Sequence, residues 1–144
     1  MKAGAALALA LALAACGGVP RAPVKEAGMT EATEWKGQFS GALQGARRVA
    51  QSEAQWRELW AEIGQAAPPA PDFRTRFAAA VLLGERRTGG WRVQWLEPDS
   101  SGAATVVRYR ELKPDGMALQ ALTQPYAVKV FLREKPEVRV EAAD

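Results

Sequence analysis

In "SEAQWRELWAEIG", Trp56, Leu59, Trp60 and Ile63 fall at i, i+3, i+4 and i+7, which puts four large apolar side chains on one helical face. Ser52 followed three residues later by Gln55 has capping-box spacing, and Gly64 stands where a left-handed residue ends a helix. Two tryptophans on one short helix predict a core-facing stripe, because buried aromatics dominate core energetics. This is the clear helical period of the chain, and the residues beyond Gly64 keep another rhythm.

After the Pro-rich "QAAPPAPD", "RFAAAVLLGE" is a short continuous apolar run bounded by turn signals, as expected of a strand buried on both faces. "WRVQWLE" alternates, with Trp91, Val93 and Trp95 opposite Arg92 and Gln94. "ATVVRYREL" places Thr105, Val107 and Tyr109 opposite Val106, Arg108 and Arg110, with "PDSSG" and "KPDG" as turns on either side. "YAVKVFL" and "EVRVEA", separated by "REKP", complete the strands, and "WKGQFSGAL" and "ARRVAQ" are weaker candidates upstream of the helix. Short strands with one early helix predict a mainly β (α+β) domain over residues 34–144. The expected form is a single β-sandwich or half-open barrel with the amphipathic helix over one end.

The chain opens "MKAGAALALALALAACGG". Its apolar run is far shorter than the roughly 20 residues that span a bilayer, so residues 1–15 read as a secretory signal peptide. Leu13-Ala14-Ala15-Cys16 resembles a bacterial lipobox, which makes Cys16 the lipidated first residue of the mature chain. More than one acyl chain there would anchor it stably to a membrane. Residues 16–33, small, polar and Pro-containing, form the lipidated N-terminus and a flexible linker. The expected location is the bacterial cell envelope, with the folded domain outside the cytoplasm.

Cys16 is the only cysteine and the chain has no histidine. Once Cys16 is lipidated, no thiol remains for a disulfide or thiolate metal site, and the usual Ser-His, Cys-His and His-zinc designs are absent. No cofactor and no metal are expected. Removing residues 1–15 takes Lys2 from the 19 basic residues and leaves 18 against 16 acidic. So balanced a charge, with no basic run longer than Arg47-Arg48 or Arg86-Arg87, is not a nucleic-acid footprint. Asp72, Glu85, Glu97 and Glu111 lie near expected strand ends, but no spacing brings two of them together as a carboxylate pair. The chain reads as a non-enzyme.

The order of features resembles the C-terminal domain family of the protease-complex subunit PrcB, over roughly Phe39 to Val140. The most specific pieces are Gly84, Thr88, Gly89 and Gly90, then Leu122, Thr123, Pro125 and Tyr126. Trp91 stands where the family usually has tyrosine, Gln124 where it often has an aromatic residue, and Arg86-Arg87 where it tends to have Lys-Pro. The resemblance implies a secreted or lipid-anchored, non-catalytic protein with a protease as partner. There is a looser likeness to chagasin-type cysteine-protease inhibitors, whose Thr-Gly and Pro-aromatic loops lie at one end of a sandwich, as "TGGW" and "TQPY" would here.

The expected function is a protein-interaction module that stabilises or inhibits a surface or periplasmic protease. Its partner-binding residues would be Thr88, Gly89, Gly90, Trp91, Thr123, Gln124, Pro125 and Tyr126. Gly89-Gly90 is also readable as a hairpin or bulge corner with Trp91 tucked into the core. The alternative function is glycan or cell-wall binding, which needs Trp91 and Trp95 exposed and coplanar.

Overall fold

The computed structural model describes residues 33–144. The signal peptide read at 1–15, Cys16 and the linker, apart from Thr33, lie outside the described residues. Among those described, seven strands and one helix run in the order β1 (Glu34–Gly37), β2 (Gly45–Ala50), α1 (Glu53–Ile63), β3 (Arg76–Leu83), β4 (Arg92–Trp95), β5 (Ala104–Leu112), β6 (Tyr126–Leu132) and β7 (Glu137–Ala142). The strands form two sheets, β1-β6-β3-β2 and β4-β5-β7, so the domain is mainly β and sandwich-like, as expected, with no closed barrel. All pairs are antiparallel except β5 with β7.

The apolar run of β3 organises the rest. Each of its residues from Phe77 to Leu83 is buried, and strand alternation sends them to two different cores. Ala78, Ala80 and Leu82 point one way with their β6 partners Val130, Val128 and Tyr126, and meet Trp56, Leu59, Trp60 and Ile63 of α1. The two alanines leave room for the tryptophans. Trp35, Trp56 and Trp60 stand edge-on to one another with ring centroids 5.4 to 5.8 Å apart. On the other face Phe77, Ala79 and Phe131 meet Val107 of β5, and Val81 and Leu83 meet Tyr109.

The helix therefore covers the outer face of the four-stranded sheet, not one end of a sandwich, because a strand apolar on both faces needs a layer on each. Its ends follow the sequence signals. Ser52 Oγ accepts from the Gln55 N–H, and the Gln55 side chain reaches back to the N–H of Gln51, one residue beyond the cap itself. Gly64 takes φ 82° and its N–H closes on the carbonyls of Trp60 and Ala61. Of the strand connections after β3, only β4 to β5 is a hairpin; β3–β4, β5–β6 and β6–β7 cross between the sheets. The Thr88-Gly89-Gly90 corner is thus an inter-sheet crossing and not a hairpin.

The chain's two tyrosines, Tyr109 and Tyr126, are both buried. Burial pushes both phenols up. For Tyr126 a hydrogen bond from Gln65 opposes the shift; for Tyr109 Arg47 opposes it and Glu111 adds to it. A raised folded pKa favours the neutral phenol, so the stability this supplies is complete below the unfolded value of about 10 and is lost as pH rises through the folded value. An alkaline titration should show phenolate absorbance lagging an ordinary tyrosine and arriving together with loss of the near-UV dichroism. A phenol that ionises normally while the fold persists would contradict this packing.

Candidate functional site

The two loops singled out in the sequence meet. Arg86 and Thr123 form an isolated antiparallel bridge, with both backbone N–H groups donating to the opposite carbonyl at 2.8 and 2.9 Å. Thr123 Oγ1 donates to the Thr88 carbonyl at 2.8 Å, and the Gly89 N–H to the Leu119 carbonyl at 2.8 Å. "TGGW" and "TQPY" are therefore one rigid junction at the end of β3.

The residue that locks it is Gln38, which in the sequence is one polar position inside the weak strand candidate "WKGQFSGAL". β1 ends at Gly37, and the Gln38 side-chain amide then clasps the glycine loop. Its Oε1 accepts from the Gly90 N–H at 2.9 Å and its Nε2 donates to the Trp91 carbonyl at 2.8 Å. Its own carbonyl accepts from the Gln124 N–H at 2.8 Å. One residue thus touches both loops, and each such bond contributes about 0.5–1.5 kcal/mol net. No local signal marks this role, since the partners lie more than fifty positions away in sequence.

The junction does not present all eight expected contact residues. Thr123, Pro125 and Tyr126 are buried. Tyr126 is the first residue of β6, and its ring lies against Trp60 with centroids 6.3 Å apart, over a position where Gly37 has no side chain. The alternation Tyr126, Val128, Val130 carried this signal: all three face the helix. Tyr126 is therefore a core residue and not a loop-tip anchor. Gly89 is buried and Gly90 exposed, while Thr88, Trp91 and Gln124 are half-buried. Gly90, not Gly89, takes the positive φ, 88°.

Trp91 packs on the cluster of Val81, Leu83 and Tyr109, and the Arg86 guanidinium lies 4.4 Å from its ring centroid. Arg86 is held in turn by Glu111 at 3.0 Å. Trp95 stands edge-on to Tyr109 and Phe131, with its indole nitrogen buried. The exposed faces that a sugar platform needs are taken up by packing.

The junction also exposes large apolar side chains that no periodicity in the sequence marks. Phe39, Met117 and Leu119 are 59%, 102% and 69% exposed, and together with Gln38, Gly90 and Arg92 they line an open cleft of about 560 Å³. Leu122 is exposed beside it in sequence. These side chains sit in the irregular segment between β5 and β6 or just after β1, where no periodicity predicts an inside or an outside.

Of the four acidic residues near the expected strand ends, Asp72 is bonded to Arg74, whose hydrogen bonds hold its carboxyl below the usual range, and Glu111 to Arg86. Among the described residues no group of three or more His, Cys, Asp or Glu is placed to hold a metal ion, and no helix is long and apolar enough to cross a membrane.

Comparison with known proteins gives one family. Residues 78–131, from within β3 to Phe131 of β6, match the family model described as PrcB C-terminal. No curated protein and no solved structure matches. The matched segment, residues 78–131, carries both loops of the junction, and over that stretch the chain is similar to the PrcB C-terminal family.

Proposed function

We propose that this chain is a non-catalytic lipoprotein of the bacterial envelope, held to a membrane through Cys16, whose junction surface docks onto a protease-complex partner. The observation that carries the reading is the exposed apolar group Phe39, Met117 and Leu119 around a cleft whose backbone is locked by Gln38. Exposed large side chains on a rigid frame suit binding, because little ordering remains to be done when a partner arrives. The family match supports the nature of the partner. The absence of histidine and the commitment of the lone cysteine to lipid support a role without chemistry.

Met117→Asp combined with Leu119→Asp tests the docking surface. Surface substitutions of this kind change stability by within about 0.5 kcal/mol, so the melt should stay close to wild type. A protease that co-purifies with the wild-type chain from native membranes should be lost from the double variant. Equal recovery with both proteins would sink the reading.

The anchor has its own test. Cys16→Ser removes the thiol that acylation needs, so metabolic labelling with a tagged fatty acid should leave the variant unlabelled. Persistent labelling would place the lipid elsewhere.

A further inference from the structure

The inward-facing pattern of the sandwich turns polar at one end. Directly opposed residues of an antiparallel pair share a face, so Arg47, opposite Val81, points into the space between the sheets, as does Val49 opposite Ala79. On β5 the face of Val107 and Tyr109 continues to Glu111. Arg86 follows β3 at the same end. These four side chains line a cleft of about 480 Å³ together with Leu83 and Ala142. Gly45, on the same face as Arg47 and two residues before it, puts no side chain into that space.

The charges do not cancel. Arg86 is paired with Glu111 at 3.0 Å and stacked on Trp91, which fixes its plane while leaving its Nε–H buried without an acceptor. Among the described residues the Arg47 guanidinium has no carboxylate or hydrogen-bond partner, and the Tyr109 hydroxyl has no hydrogen-bond partner. The cleft thus holds two guanidinium groups, one carboxylate and a free phenol, an excess of one positive charge.

We propose that this cleft is an oxyanion site, taking a carboxylate or phosphate group between the Arg47 guanidinium, the Tyr109 hydroxyl and the donors of Arg86 not used by Glu111. A guanidinium matches either group with two parallel N–H donors. Arg86 is already oriented, so it loses little freedom on binding, while Arg47, at the sheet edge, closes over the ligand. The site does not depend on the partner-docking reading, because its ligand contacts none of Phe39, Met117 or Leu119.

An inward-pointing arginine on an edge strand has another use, which is to keep that edge from pairing with a second chain. The two roles part under titration. The full chain is titrated with sodium phosphate and, separately, with sodium acetate, at ionic strength held constant with sodium chloride. The Tyr109 ring and arginine Nε–H signals are followed by NMR.

A saturable shift is expected with one or both anions, and which of them gives it identifies the group. Arg47→Gln should weaken that binding about tenfold or more, as loss of a charged hydrogen-bond donor implies. Tyr109→Phe, which keeps the ring and removes only the hydroxyl, should weaken it by a smaller factor and serves if the first variant folds poorly. No saturable shift with either anion would overturn the proposal. So would affinity unchanged from wild type in both Arg47→Gln and Tyr109→Phe, and so would an Arg47→Gln chain that binds as wild type does and only self-associates more.

Discussion

Trp60→Ala is expected to cost about 3–5 kcal/mol, the range for truncating a buried aromatic side chain. Trp60 is 2% exposed and touches Trp35, Trp56 and Tyr126 edge-on, with centroids 5.6 to 6.3 Å away, so the variant empties the middle of the helix–sheet interface. For a domain of roughly 110 residues that is a large part of a total of about 5–15 kcal/mol, and the melting temperature should fall by about 10–25 °C. Phenylalanine separates volume from polarity. The Trp60 indole nitrogen has no hydrogen-bond partner among the described residues, whereas Trp56 Nε1 donates to the Pro68 carbonyl at 2.9 Å. Trp60→Phe should therefore be milder than Trp56→Phe. A Trp60→Ala melt that overlays wild type would mean that α1 does not lie on the sheet.

Gly84→Ala should be nearly as damaging for a different reason. Gly84 takes φ 72°, where any side chain costs about 1–2 kcal/mol. An added Cβ would also lie 2.7 Å from the Gly45 nitrogen and about 3 Å from the backbone of Gln44 and Leu43. Those atoms belong to the start of β2 and the turn before it, and they cannot swing aside as a side-chain tip can, so overpacking adds about 1–3 kcal/mol. The total of about 2–5 kcal/mol should exceed the effect of Gly90→Ala. There φ is also positive, at 88°, but the close contact is with a ring atom of Pro114 at 2.8 Å, in the irregular segment after β5, and the nearest backbone atom is 3.8 Å away. Gly90→Val should be worse than Gly90→Ala, since a β-branched residue resists positive φ most. Chemical denaturation of the three variants reads the order, and a Gly84→Ala protein as stable as wild type would show that β2 does not pass where it is placed.

Local signals told most of the secondary structure. The helix announced its stripe, its Ser52 cap and its Gly64 stop, and β3 and β5 showed which of their residues are buried, because 3.6-residue and 2-residue periods are properties of a few neighbours. What they could not tell was which strand lies beside which. The parallel pairing of β5 with β7 and the crossing of residues 84–91 between sheets depend on contacts far along the chain, and short turns such as Thr88-Gly89-Gly90 suit a hairpin as well as a crossing. The candidate site was half legible for the same reason. Its two motifs stand out and do converge, but Gln38, which joins them, looks like any polar residue after a strand. Pro125 and Tyr126 look like a loop because a proline precedes the strand, although the period of Tyr126, Val128 and Val130 already placed the tyrosine inside.

The position of β6 also sets the order in which this domain is made. Residues 126–132 form a central strand of the four-stranded sheet, pairing with β1 on one side and β3 on the other, yet they come near the end of the chain. During synthesis β2, α1 and β3 can gather as a unit, since their contacts are close in sequence. β1 emerges first and has no strand to pair with until β6 arrives, and until then one edge of β3 stays open to other chains. A ribosome stalled before Tyr126 would hold a fragment with an unpaired first strand and an uncovered apolar edge, a form that needs a chaperone more than the finished protein does.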